Sequence, residues 1–189
     1  WSSLSNPDNL IGWGGVVFFG VLQAIVYFLA YEGFGKGQLS VLNPVFASYS
    51  GLAAILSIVI FKEVLGINSF IALAVIFTGI LLLNIDTQAL MNRRINLTRV
   101  PGLKEVGMAA VLAAFWELFW DKLVGGKDWI IYTLLMYGFM TLTAVLMAKL
   151  KNVNLSVTKS NLWKFFIFIG LGEVVGYLAL TLGFSVTTY

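Results

Sequence analysis

Neither cysteine nor histidine occurs in this chain. Their absence removes thiolate nucleophiles, imidazole general bases, disulfides and the commonest zinc ligands together. Charge is also scarce: 11% of the residues are Asp, Glu, Lys or Arg, where soluble domains carry about 25%. The net charge of +3 is too small, and its cations too confined to loops, to recruit nucleic acid. Carboxylates, lysine, tyrosine, serine and threonine are what remains for chemistry, and no cofactor or metal is expected.

Apolar surface fills the space that charge leaves. Hydrophobic residues make up 59% of the chain, and the mean hydropathy is +0.91, more than a water-soluble fold can hide. Six apolar stretches, A to F, run over 11 to 32, 41 to 61, 67 to 85, 105 to 123, 128 to 148 and 163 to 185. Each is close to the roughly 20 residues that carry a helix across a bilayer. Backbone amides in lipid need partners within their own segment or a closed barrel, and stretches this continuously apolar do not alternate as barrel strands do. The expected fold is an all-α, polytopic transmembrane helix bundle in the cell membrane, with lipid as its surrounding partner. No charged segment precedes a short apolar core, so no signal peptide is expected. A chain opening at Trp1 reads as a fragment.

The longest polar stretch, 86 to 104, holds Arg93, Arg94, Arg99 and Pro101 and reads as a linker between two halves, 1 to 85 and 105 to 189. Lys36, Arg93, Arg94, Arg99, Lys104, Lys149, Lys151, Lys159 and Lys164 fall on one side, against Lys62, Lys122 and Lys127 on the other. The positive-inside rule puts the first group in the cytoplasm.

Helix A aligns with helix F at an offset of about 150 residues, the kind of weak internal symmetry left by transporter repeats. Gly20 meets Gly170, Tyr27 meets Tyr177, Gly33-Phe34 meets Gly183-Phe184, and polar Gln23 meets polar Glu173. The polar stretch 1 to 10 falls on the polar loop 151 to 160 at the same offset. If D and E open a second repeat, their counterparts precede A, and those of B and C follow F. The expected parent then has two inverted five-helix repeats, of which six central helices are seen here: helices three to five in 1 to 85, and six to eight in 105 to 189.

Three runs carry a family likeness: Leu42-Asn43-Pro44-Val45-Phe46-Ala47, Ile60-Phe61-Lys62-Glu63-Val64-Leu65-Gly66 and Phe77-Thr78-Gly79-Ile80-Leu81-Leu82-Leu83-Asn84. In order and spacing they resemble the EamA-type transporters of the drug/metabolite transporter superfamily, where a Pro near the start of the fourth helix, a Glu after it and a Gly inside the fifth are typical. Pro44, Glu63 and Gly79 match these. The resemblance implies a ten-helix carrier of two inverted five-helix repeats. Ten-helix members with both termini in the cytoplasm would place the Arg-rich linker outside, opposite to the charge count.

Glu117 and Glu173 lie well inside D and F, where an ionised carboxylate is costly and faces a cavity or a partner. Either can take a proton and so couple solute exchange to protons, or simply tie helices together by a hydrogen bond. Asp121, one turn below Glu117, reads as a solvated edge charge. Gln23, Tyr27 and Tyr31 recur at helical spacing on A, with Glu32 at its end, and Tyr177 lies one turn from Glu173 on F. This polar-aromatic stripe suits a solute path; packing or interfacial tyrosine is the plainer reading. Trp116 and Trp120 flank Glu117 as an aromatic wall for a cationic or aromatic solute, or as interfacial anchors. Asn43 and Pro44 begin helix B, where a freed carbonyl can face the path. Gly172, Gly176 and Gly183 sit at helix-packing spacings.

The function these residues support is an alternating-access carrier of a small metabolite or drug-like solute, with proton coupling as a separate expectation. Two other classes stand beside it. One is a non-catalytic scaffold or small multidrug-type subunit complete at six helices. The other is an intramembrane enzyme using Glu117 and Glu173, which would have to work without His, Cys or clustered metal ligands; the chain is read as not an enzyme.

Overall fold

In the computed structural model, residues 10–62, 66–68, 70–71, 74–75, 78–79, 100–124, 128–153 and 162–186 are described. Their helices are α1 (Leu10–Lys36), α2 (Leu39–Ala47), α3 (Tyr49–Phe61), α4 (Leu103–Val124), α5 (Trp129–Leu150) and α6 (Leu162–Val186). No strand occurs among the described residues, so the all-α membrane bundle is the observed class. Helices α2 and α3 form one bent body of 23 residues, Leu39–Phe61. The described helical bodies are therefore five rather than the expected six. Stretch C falls partly outside the described residues, and those described within 67–79 are helical. Glu63, Arg93, Arg94, Arg99 and Lys127 also lie outside them.

Four of the five bodies are long and apolar enough to cross a membrane: Leu10–Lys36, Leu39–Phe61, Trp129–Leu150 and Trp163–Gly183. The exception is α4, whose 22 residues include Lys104, Glu105, Glu117, Asp121 and Lys122. Its inner face is nevertheless alanine-rich: Ala109, Ala110, Ala113 and Ala114 are buried, as suits close helix approach in a membrane.

Helix B begins earlier than expected. It starts at Leu39, so Pro44 sits inside α2 instead of in its first turn. There the pyrrolidine ring removes a backbone donor and leaves the Ser40 carbonyl without its i+4 partner. The two segments meet at Ser48 (φ −68°, ψ −9°), where Ser48 N–H donates to the Pro44 carbonyl and Leu52 N–H to the Ser48 carbonyl, and the Ser48 hydroxyl donates to the Val45 carbonyl at 2.7 Å. Helix α3 stops where Lys62 turns into left-handed backbone (φ 54°, ψ 34°).

Contacts divide the chain into two units. The first is Trp1–Ala24 with Trp120–Tyr189. Within it α5 packs on α6, and α1 approaches α5 closely at Gly20. A Cβ there would fall 2.7 Å from the Met136 carbonyl oxygen and 2.8 Å from Phe139 Cβ. Phe19 meets the Trp120 ring edge-on at 5.8 Å. Gly172, Gly176 and Gly183, expected as packing glycines, meet nothing within 4 Å of a built Cβ. Spacing supplied a small-residue stripe on α6, but a Cβ at these three positions would meet open space.

The second unit is Ile25–Phe119. Gly33 of α1 lies against the start of α4: a Cβ there would fall 2.5 Å from Val106 Cγ2 and 2.8 Å from the Gly102 carbonyl oxygen. Gly102 itself has φ +82°, a conformation that glycine adopts without strain. At this junction Lys36 Nζ donates to Glu32 Oε1 at 2.8 Å and to Glu105 Oε1 at 2.7 Å. The i, i+4 pair and the glycine contacts explain why α1 continues past residue 32, where the apolar run stops.

Candidate functional site: a polar interior in apolar helices

Helix α6 shows the membrane pattern most plainly. Among its described side chains only Glu173, Tyr177, Leu178 and Thr181 are withdrawn from the surface. Three of these are polar and recur at i, i+4 and i+8, so they share one face. The remaining side chains, Phe165, Phe168, Leu171 and Val175 among them, are exposed and apolar. Apolar outside and polar inside is the reverse of a water-soluble amphipathic helix, and intramembrane polar groups mark helix contacts or solute paths.

Opposite this stripe, within the first unit, stands Gln23 of α1, 4% exposed. Its Nε2 donates to the Tyr177 hydroxyl. Tyr137 of α5 meets the Tyr177 ring edge-to-face, with centroids 5.5 Å apart and planes at 87°. One turn earlier on α5 is Thr133, 1% exposed. Thr181 closes its own local bond, donating to the Tyr177 carbonyl at 2.8 Å. Three buried polar atoms here lack a partner among the described residues: Gln23 Oε1, Thr133 Oγ1 and Tyr137 Oη. An acceptor and two hydroxyls left open in an apolar interior are costly unless water or a solute completes them.

The second unit presents a different surface. Tyr27 and Tyr31 stack at 5.9 Å with planes 16° apart, Tyr31 meets Phe34 at 6.3 Å, Phe34 meets Phe46 at 5.9 Å, and Phe46 meets Tyr49 at 5.6 Å. These five rings form a continuous ladder from α1 through α2 to the first residue of α3. Glu117 acts electrostatically on the Tyr49 phenol, and Glu117 Oε2 is buried without a hydrogen-bond partner among the described residues.

Of the residues singled out from sequence, the structure brings Gln23 to Tyr177 and Tyr27 to Tyr31. Glu117 and Glu173 are both half-buried. Trp116 and Trp120 are 3% and 0% exposed, so they are interior residues and not interfacial anchors. Tyr31 is 63% exposed, and Asn43 is exposed on α2. Sequence reasoning missed Thr133 and Tyr137, which sit i, i+4 inside an apolar run. Among the described residues, no group of His, Cys, Asp and Glu is placed to hold a metal ion. A groove of about 480 Å³ along Phe70, Ile71, Ala74, Val75, Thr78 and Gly79 follows one helix face and offers a single hydroxyl.

No curated protein and no solved structure matches the chain. Residues 1–85 match the model of the EamA-like transporter family, a segment that contains α1 to α3, the Pro44 bend and the aromatic ladder. Over residues 1–85 the chain is therefore similar to the EamA-like transporter family.

Proposed function

We propose that the protein is a carrier that moves a small metabolite or drug-like solute across the membrane by alternating access. The observation that carries this reading is the polar face of α6, with Gln23, Thr133 and Tyr137 presenting open hydrogen-bonding atoms inside helices that are otherwise apolar. A scaffold needs no such atoms, because an apolar interior would pack helices at lower cost. An enzyme would need a nucleophile with an adjacent base, and Glu117 and Glu173 stand without imidazole or thiolate. The family match over 1–85 supports transport as the class of activity.

In this reading Gln23, Tyr177, Tyr137 and Thr133 bind solute by hydrogen bonds, while Glu173 supplies a carboxylate able to exchange a proton on the same α6 face. The parent protein is organised as two inverted five-helix repeats, with a first repeat ending at 85, a linker at 86–104 and a second repeat starting at 105. The end of the family match at residue 85 supports that boundary.

Uptake into proteoliposomes containing the full-length protein tests the proposal, with a panel of amino acids, organic amines and nucleosides. Saturable flux that falls at least about tenfold in Gln23→Leu, an effect of the size expected when a buried hydrogen-bonding pair is broken, is the expected result. Absence of saturable flux for the whole panel would contradict it.

A further inference from the structure

Within the first unit, the hairpin of α5 and α6 carries its charge at one end. Between Asp128 and Glu173 the sequence holds Lys149, Lys151, Lys159 and Lys164 and no carboxylate side chain. The other end of α5 is different: Asp121, Lys122, Lys127 and Asp128 balance in charge, and Lys122 Nζ lies 4.0 Å from Asp121 Oδ2. Lys159 lies outside the described residues; Lys149, Lys151 and Lys164 are described and exposed. Their level follows from the helices. Consecutive membrane spans run antiparallel, and the ring contact of Tyr137 with Tyr177 fixes where α5 and α6 pass each other. From that contact Lys149 lies about 18 Å along α5, and Lys164 about 20 Å back along α6. Tyr137 is near the middle of α5, so both lysines stand at the edge of a hydrocarbon core that is roughly 30 Å thick. Helix α5 is closed there by a left-handed cap: Asn152 has φ 53°, and Val153 N–H donates to the Ala148 carbonyl at 2.9 Å.

Each lysine also heads an apolar stripe. Lys149 shares its face of α5 with Leu142, Val145 and Leu146, and Lys164 shares its face of α6 with Phe168, Leu171 and Val175, by i, i+3 and i, i+4 steps. All six apolar side chains are exposed. Trp163, beside Lys164, is 54% exposed, at the level where indole rings settle among headgroups.

We infer that this end of the hairpin binds an anionic phospholipid, with its phosphate on Lys149, Lys151 and Lys164 and its acyl chains along the two stripes. The lysines alone would report only which side of the membrane the connection occupies. The stripes beneath them select an amphiphile. A zwitterionic lipid fits the stripes but brings its own cation to the lysines, and a soluble phosphate meets the lysines but gains nothing from the stripes. Lysine stems can lie along the apolar surface while their ammonium groups reach the headgroup. The inference concerns the lipid-facing side of the hairpin and does not rest on the carrier reading.

Titration of the purified full-length protein, followed by native mass spectrometry, tests it with three probes: dioleoylphosphatidylglycerol, dioleoylphosphatidylcholine with the same chains, and glycerol phosphate without chains. A lysine near an anionic headgroup contributes about fivefold in affinity. Phosphatidylglycerol is therefore expected to bind at least about tenfold more tightly than phosphatidylcholine, and glycerol phosphate not to bind at the same concentrations. Combining Lys149→Gln, Lys151→Gln and Lys164→Gln brings phosphatidylglycerol down to the affinity of phosphatidylcholine, and arginine at the three positions restores the preference. Lys122→Gln, at the balanced end, leaves the preference unchanged. Thermal melts of each variant establish that it is folded. Wild-type affinities for the two lipids within about twofold of each other would overturn the inference, and so would a preference that survives the triple glutamine substitution. Glycerol phosphate binding as tightly as phosphatidylglycerol would also overturn it, by showing a site for a soluble anion.

Discussion

Gln23 on α1 donates through Nε2 to the hydroxyl of Tyr177 on α6, across 154 residues of chain. The internal offset pairs Gln23 with Glu173 and Tyr27 with Tyr177, so this bond links a residue of helix A to the counterpart of the residue one turn further along the same helix. Helices A and F, which align in sequence at this offset, are thus joined by a part-buried side-chain hydrogen bond. Side-chain hydrogen bonds between membrane helices are worth about 0.6 kcal/mol, reaching about 1.7. A double-mutant cycle of Gln23→Leu and Tyr177→Phe, read by unfolding in detergent, is expected to give a coupling in that range. Additive effects would show that the pair is merely adjacent.

Gly20 marks the closest approach of α1 to α5. A side chain there meets the Met136 carbonyl and Phe139 Cβ at under 3 Å, and backbone cannot yield as a flexible side-chain tip can. Gly20→Val is expected to destabilise by about 1–3 kcal/mol, the usual cost of overpacking. Gly14→Val, where nothing lies within 4 Å of a built Cβ, serves as the control and is expected to stay close to wild type in the same thermal melt.

Gly102 resists a side chain on two counts: its φ is +82°, which an L side chain rarely adopts, and a Cβ would press on the Gly33 backbone. Gly102→Ala is expected to lower the melting temperature. Gly107→Ala, in the same helix region but with open space around it, is expected to be neutral or to stabilise by up to about 1 kcal/mol through helix propensity. Equal effects at the two sites would contradict the close approach of α1 and α4.

Lys36 holds two carboxylates, Glu32 and Glu105, at hydrogen-bonding distance. All three side chains keep contact with solvent, so salt screens them. Lys36→Met removes the ammonium that Glu32 and Glu105 share, and the expected loss of melting temperature is greater at about 50 mM than at about 500 mM sodium chloride, where the screening length is far shorter. A loss independent of salt would point to the packing of the Lys36 stem.

Helix placement was legible because apolar length is a strong signal in a membrane chain, and α1, α3, α5 and α6 overlap the stretches that carry it. What length does not report is how helices end and bend. The residues Gly33 to Lys36 lie beyond the expected end of helix A at 32, and they are seen to be helical where Lys36 reaches Glu105 on α4. Pro44 reads as a helix start until Leu39 is seen to begin the helix. Glu117, Glu173, Gln23 and Tyr177 were legible as polar residues out of place among apolar neighbours. Thr133 and Tyr137 were not, because hydroxyls are common in apolar runs and only the neighbouring helix shows that these two face inward. The burial of Trp116 and Trp120 depends in the same way on which face of α4 meets its neighbours, and a single sequence does not contain that information.

In the carrier we propose, the polar face of α6 lines a water-filled path while its apolar face meets lipid. The cysteine-free sequence suits labelling of single cysteines with a membrane-impermeant thiol reagent in intact proteoliposomes. Glu173→Cys and Tyr177→Cys are predicted to react, and Phe168→Cys and Val175→Cys, at 78% and 65% exposure on the opposite faces, to resist. Labelling at 168 and 175 with protection at 173 and 177 would contradict the account.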